Sequence, residues 1–226
     1  MNDIKSLIKL YKEKYKKNLL IGYSGIDGSG KSTQIDMLNE WFHNNEIESH
    51  IEKTVLTKTK SCFRLSEKLF NDPNAYDPGI PANLREFAIS CDVLDTYKNI
   101  VKPKLDDGYV VLLDRNILCY KVYAKCFNGL TKWAEYNYSL IDEPDIIIYV
   151  DISIETSNKR LRQRVEVPIK TDENPLFLSK VKDLYLKEIE LKNSDKYIIV
   201  DGEKSSIKVH EDIKGKIINF LMNIVS

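Results

Sequence analysis

A chain of 226 residues, 42% apolar and 30% charged, is long enough for one α/β domain with a continuous core, and its composition is neither that of a disordered chain nor that of a membrane protein. Its 34 lysines and arginines balance 34 aspartates and glutamates, so no global basic field exists to hold nucleic acid or an anionic membrane, and any phosphate binding has to be local. Four cysteines without a C-x-x-C pair and three scattered histidines argue against zinc, and the lack of a signal-like or membrane-length apolar run makes a cytoplasmic protein with reduced thiols the expectation.

In chain order, residues 1–18 predict an amphipathic helical extension, with Ile4, Leu7, Ile8, Tyr11 and Tyr15 on one face and mostly lysines on the other. It is expected to pack on the body or at a dimer contact, with a weak membrane or partner role as the alternative, and the domain proper is placed at 19–226. Apolar runs at Leu19–Ser24, Thr54–Thr57, Tyr109–Asp114, Asp145–Asp151 and Lys196–Asp201 predict buried parallel strands. Helical spacing fills 32–45, 83–106, 116–141, 153–164, 175–193 and 205–225. Strands alternating with helices predict an α/β fold, a doubly wound five-stranded parallel sheet with helices on both faces. In such sheets ligands bind beyond the carboxyl ends of the strands, so the loops after Ser24, Thr57, Asp114 and Asp151 converge on one site.

The first of those loops reads Gly25-Ile26-Asp27-Gly28-Ser29-Gly30-Lys31-Ser32, which fits G-x-x-x-x-G-K-[ST] without a mismatch between a strand and a helix. Glycines at those places let successive backbone N–H groups turn inward around a phosphate, and the following helix adds its positive dipole end. Lys31 then reaches the β- and γ-phosphates of ATP, and Ser32 offers a hydroxyl to Mg²⁺. The buried-type strand Tyr109–Asp114 ends in a carboxylate beside this loop. Asp114 suits a metal-bound water there, and Arg115 offers a planar fork to a phosphate.

From about Leu19 to its end the chain resembles the thymidylate kinase family of nucleoside-monophosphate kinases. The stretch from Gly25 through Lys31, Ser32 and Thr33 to Gln34 is similar to that family's phosphate loop, including the aspartate at Asp27, and Asp114-Arg115 is similar to its Asp-Arg motif. Lys159-Arg160-Leu161-Arg162-Gln163-Arg164, with Phe177 and Tyr185 further on, looks like its helical lid, at about 159–175. The resemblance implies ATP and Mg²⁺ as cofactors, a nucleotide-like acceptor, no nucleic-acid or membrane partner, and a homodimer. It also implies roles: Asp27 near the acceptor sugar and metal, Arg115 on the acceptor phosphate, Arg160 near the adenine and Arg164 near the phosphates. With no arginine in the phosphate loop, the lid has to supply the cation that meets the transferring charge.

Departures cluster on the acceptor side. Where the family carries Arg-Glu-Pro-Gly after the second strand, this chain reads Thr57-Lys58-Thr59-Lys60-Ser61. Four residues past Phe87, the aromatic that in the family stacks on thymine, Cys91 replaces an arginine, and Tyr123-Ala124 replaces a Tyr-Gln pair. These changes remove base-reading donors, so the expectation is that the acceptor is not thymidylate or that thymidylate is a poor one, with Lys58, Lys60, Arg64 and Arg85 as candidates for the acceptor phosphate. Two other readings stay open: a nucleoside kinase using Asp27 as base toward a hydroxyl, and an ATP-binding module without catalysis.

Overall fold

The computed structural model describes residues 3–53, 81–164 and 173–225. Strands β1 (Leu20–Ser24), β2 (Ser49–Glu52), β3 (Val110–Asp114), β4 (Ile146–Asp151) and β5 (Tyr197–Asp201) form a wholly parallel sheet in the order β2-β3-β1-β4-β5. The central strand β1 is buried from end to end because β3 and β4 flank it and helices cover both faces. This is the doubly wound α/β fold that the alternation of runs predicts.

One strand differs from its expected place. The run Thr54–Thr57 lies outside the described residues, and the strand that pairs with β3 is Ser49–Glu52. Ser-His-Ile-Glu carries no apolar run, which its position permits: β2 lies at an edge of the sheet and is not driven to be apolar on both faces.

The helices are α1 (Ile4–Tyr15), α2 (Lys31–Asn44), α3 (Ala82–Thr96), α4 (Lys102–Asp106), α5 (Ile117–Cys126), α6 (Lys132–Ser139), α7 (Ile154–Arg162), α8 (Pro175–Lys192) and α9 (Ser206–Val225). A π-helical turn, Tyr97–Val101, carries α3 into α4, so the predicted helix over 83–106 is one continuous rod with a register shift inside it. The single helix expected over 116–141 is instead two. Asn128 takes a left-handed φ of 54°, and at Gly129 a Cβ would lie 2.5 Å from Glu86 Cγ and 2.6 Å from Ala82 O. Thr131 then caps α6 by accepting from Ala134 N at 3.2 Å.

Side chains alternate across the sheet and define the layers. Ile21, Tyr23, Leu112, Ile148 and Val200 face α1, α2 and α9, whereas Leu20, Val111, Leu113, Ile147 and Tyr149 face the helices from α3 to α8. Helix α1 belongs to the first of these cores: Ile4, Leu7 and Tyr11 are at most 3% exposed and share a cluster with Ile213, Ile217 and Leu221 of α9. Ile8 packs partly against it, and Tyr15 keeps its ring outside while its hydroxyl donates to Ile224 O at 3.3 Å. No helix among the described residues is long and apolar enough to cross a membrane.

Candidate active site

The phosphate loop leaves β1 and enters α2 at Lys31, with Gly30 as the residue before the helix. Gly25 has φ +143° and Gly28 φ +80°, in the region that L side chains rarely adopt. A Cβ would also stand 2.7 Å from Val150 O at the first and 3.0 Å from Ser157 O at the second, so the loop is packed closely on β4 and α7. Lys31 is 6% exposed, and its Nζ donates to Gly25 O at 3.0 Å, Ile26 O at 2.9 Å and Ser29 Oγ at 3.4 Å. Burial, reinforced by the Arg115 charge, draws the ammonium below the ordinary lysine range, while Asp27 and Asp114 pull it back up. A buried cation at the mouth of a helix N-terminus is matched to an incoming phosphate chain.

Beside it, Ser32 Oγ donates to Asp114 Oδ2 at 3.1 Å, a hydroxyl from α2 meeting a carboxylate from the end of β3. Among the described residues no group of three or more His, Cys, Asp or Glu could hold a metal ion. A hydroxyl and one carboxylate fit a hard cation that takes its other ligands from phosphate oxygens and water, as Mg²⁺ does.

Asp27 is the hub of the opposite side. Arg115 Nη2 donates to Asp27 Oδ1, Tyr123 OH donates to Oδ2 at 3.2 Å, and the guanidinium lies 5.1 Å over the Tyr123 ring. Burial pushes the Asp27 carboxyl up, but Arg115, Lys31 and the Tyr123 hydroxyl outweigh it and hold the group below the ordinary aspartate range. Arg115 sits at φ +79°, a left-handed backbone costing roughly 1–2 kcal/mol in a residue with a side chain. That conformation turns the chain sharply between β3 and α5, and such strain clusters where geometry serves a site.

Two supporting residues escape sequence reasoning. Asn116 is 2% exposed; it donates to Tyr23 O at 3.1 Å and Ser24 Oγ at 3.0 Å, and it accepts from Leu118 N at 2.9 Å to cap α5. Its one visible signal is an asparagine standing before an apolar helical run. Ser157 Oγ donates to Asp27 O at 2.7 Å across 130 positions of sequence, and no local pattern announces that contact.

On the far side of the loop, Arg160 Nη1 reaches Gly28 O at 3.3 Å and Ser29 O at 3.4 Å, and Nη2 reaches Gly202 O at 2.9 Å. A cavity of about 190 Å³ opens here, lined among others by Gly30, Thr33, Gln34, Arg160, Gly202 and Ser206. Arg162 turns away to Asn158 Oδ1 at 3.2 Å. Arg164 pairs with the buried Glu173 at 2.8 Å and still lowers the pKa of Asp27 through space.

The remaining acceptor-side candidates spread out. Lys58, with Lys60 and Arg64, lies outside the described residues. Arg85 is buried against Glu86, its guanidinium 4.4 Å over Phe127. From there the aromatic contacts Phe127–Phe177 at 4.5 Å and Tyr123–Phe177 at 6.1 Å lead back to the Asp27 hub. Phe87 and Cys91 instead line the α6 side of α3. Phe87 meets Trp133 edge-on at 6.0 Å, and Cys91 Sγ accepts from Asn137 Nδ2 at 3.4 Å. Ala124 is fully buried within the core.

Comparison with known proteins agrees with this geometry. The family model described as thymidylate kinase matches residues 24–213. A probable thymidylate kinase of Methanobrevibacter smithii is 31% identical over 197 residues, covering 87% of this chain and 92% of its own length. Thymidylate kinases of Thermosipho africanus and of a Thermoanaerobacter species are 29% and 30% identical, each covering 87% of this chain and 96% of their own.

Proposed function

The chain belongs to the thymidylate kinase family of nucleoside-monophosphate kinases, and from that premise we propose that it moves the γ-phosphoryl group of Mg-ATP onto a nucleoside monophosphate. The observation that carries the proposal is the convergence of Lys31, the Ser32–Asp114 pair and the Asp27–Arg115–Tyr123 hub around one phosphate loop. In this reading Lys31 and the loop N–H groups hold the β- and γ-phosphates, and Ser32 and Asp114 hold the metal directly or through water. A magnesium ion held by Ser32 and Asp114 would supply positive charge to offset that of the phosphates. Arg115 presents the acceptor phosphate, Tyr123 and Asp27 keep Arg115 aimed, and Arg160 borders the pocket for the donor base. Arg164 leaves Glu173 to meet the transferring charge.

Asp27 separates this reading from a kinase acting on a hydroxyl. A general base works best with a pKa near the operating pH, whereas Asp27 is held below the usual carboxylate range with both oxygens engaged. An acceptor that is already a phosphate needs no such base. The intact Lys31, Ser32, Asp114 and Arg115 set likewise speaks against an ATP-binding module without turnover.

For the acceptor base, we propose preference for a monophosphate other than thymidylate, supported by Cys91 and Ala124 standing where the family resemblance expects an arginine and a glutamine. A homodimer is part of the same proposal, supported by family membership and by exposed Leu84, Trp133 and Tyr136 on α3 and α6; light scattering tests it. The deciding experiment is ADP release from Mg-ATP against a panel of nucleoside monophosphates and nucleosides, beside Lys31→Ala. Turnover of a monophosphate, lost in the variant, is expected. Efficient use of thymidylate would overturn the acceptor proposal alone; turnover of nucleosides only would overturn the monophosphate reading.

A further inference from the structure

At the opposite end of the sheet from the phosphate loop, a cavity of about 250 Å³ opens between the C-terminal end of α1, the start of β1, α4 and the segment before β4. The length of β1, about 16 Å at strand rise, separates the two. The carboxylates in its lining are all engaged. Asp145 accepts from Lys17 and, at 2.9 Å, from Leu20 N; Asp106 pairs with Lys102 at 2.5 Å; Asp142 accepts from the Tyr97 hydroxyl; and Glu143 is held by Lys196 at 2.5 Å. Two cations of the same lining, Lys12 and Lys16, have no hydrogen-bond or ion-pair partner for their ammonium groups among the described residues. With Lys192 and Lys196 counted, which both hold Glu143, six ammonium groups stand against four carboxylates. Two backbone irregularities shape the walls. Lys16 ends α1 at φ +54°, a left-handed position that glycine or asparagine usually takes, and the π-helical turn Tyr97–Val101 sets the register that brings Lys102 and Leu105 to the cavity.

We propose that this cavity is a second anion site, outside the active site, for a small phosphorylated ligand whose dianionic phosphate is held between Lys12 and Lys16. The two stand one helical turn apart, so their side chains lie on one side of α1 and reach the same ligand. Each ammonium brings rotatable donors and a compact charge, which suits the several oxygens of a phosphate. A lone carboxylate offsets only one of the two charges. The cavity volume lies just under the ~300–1,000 Å³ of drug-sized ligand sites, so the ligand is small.

Calorimetric titration of the full chain, with saturating Mg-ADP present to fill the phosphate loop, tests this with inorganic phosphate in one arm and ribose 5-phosphate in the other. Three forms are compared: wild type, Lys12→Gln with Lys16→Gln, and Lys9→Gln with Lys14→Gln. The last pair removes the same charge from the same helix at positions outside the cavity lining. All four lysines are exposed, so both double variants are expected to keep the wild-type melting temperature. Affinity should fall by about tenfold or more in the Lys12 and Lys16 variant and stay unchanged in the other. Phosphate entering the acceptor site would bind the two double variants alike, so the comparison assigns the heat to one place. Tighter binding of ribose 5-phosphate would identify an organic phosphomonoester as the ligand, and tighter binding of inorganic phosphate the free ion. Binding of neither compound in a manner that depends on Lys12 and Lys16, or an equal loss in both double variants, overturns the proposal.

Discussion

Arg115 and Asp27 hold each other in place, and the guanidinium is the main influence that keeps the Asp27 carboxylate ionised against its burial. Arg115 is 23% exposed and Asp27 15%, so solvent screens the pair only partly, and removing one partner leaves the other poorly compensated. Arg115→Lys is not conservative here, because an ammonium cannot both grip Asp27 and present a planar fork over the Tyr123 ring. We expect it to lower kcat/KM for the acceptor by roughly 10²-fold with little change in KM for ATP, read from steady-state kinetics. The same pair makes a pH prediction. Asp27 has its folded pKa depressed below the ordinary aspartate value of 3.8, so its contribution to stability is present above that value and is lost as pH falls through the folded pKa. Asp27→Asn should therefore cost about 2 kcal/mol at neutral pH, and the gap to wild type should close as pH drops below about 4, in urea unfolding at stepped pH. A gap that stays constant down to the acid limit would mean that the carboxylate charge is not what holds the hub.

At the level of elements, the phosphate loop was legible because its eight residues are consecutive and each does its work locally, through a glycine, a lysine or a hydroxyl at fixed spacing. Strands β1, β3 and β4 were legible because burial on both faces leaves apolar runs; of the two edge strands, β5 kept an apolar run although its side chains alternate between buried and exposed, and β2 left none. What stayed hidden are contacts between distant segments: Asn116 under β1, Ser157 on Asp27, Gln34 on Ser206. The Asn116 contact explains a glycine that no motif requires. At Gly22, in the centre of β1, a Cβ would lie 2.7 Å from Asn116 Nδ2 and 2.9 Å from its Cβ and Cγ. Gly22→Ala must displace the side chain that both caps α5 and ties it to the end of β1. The expected loss is about 1–3 kcal/mol by denaturant unfolding, and Asn116→Ala alone about 1–2 kcal/mol. Because the two changes attack one contact, the double variant should lose less than their sum; strict additivity would show that Asn116 is not what Gly22 makes room for.

For the molecule as a whole, the question is whether the first helix is an appendage or part of the body. Lysines on its outer face give it the look of an addition, and the sequence places a boundary at residue 18. The packing argues otherwise. Leu7 is fully buried, Tyr11 and Ile4 nearly so, and all three join one cluster with α2, α9 and the inner face of the sheet. Asp3 caps the helix by accepting from Ser6 N at 2.7 Å, so the element starts cleanly, and its burial against α9 supplies the stability that a helix this short lacks alone in water. Two outcomes follow from the two views. If α1 is an appendage, Leu7→Ala frays the helix and leaves the main unfolding transition where it was. If α1 is core, the same change opens a cavity beneath α9 and costs about 2–5 kcal/mol in a single cooperative transition, while Lys9→Ala on the outer face changes nothing measurable. We expect the second, with circular dichroism and intrinsic fluorescence moving together. The phosphate loop should share in the loss, because the helix that follows it, α2, packs its Ile35, Leu38 and Phe42 into the cluster that α1 completes.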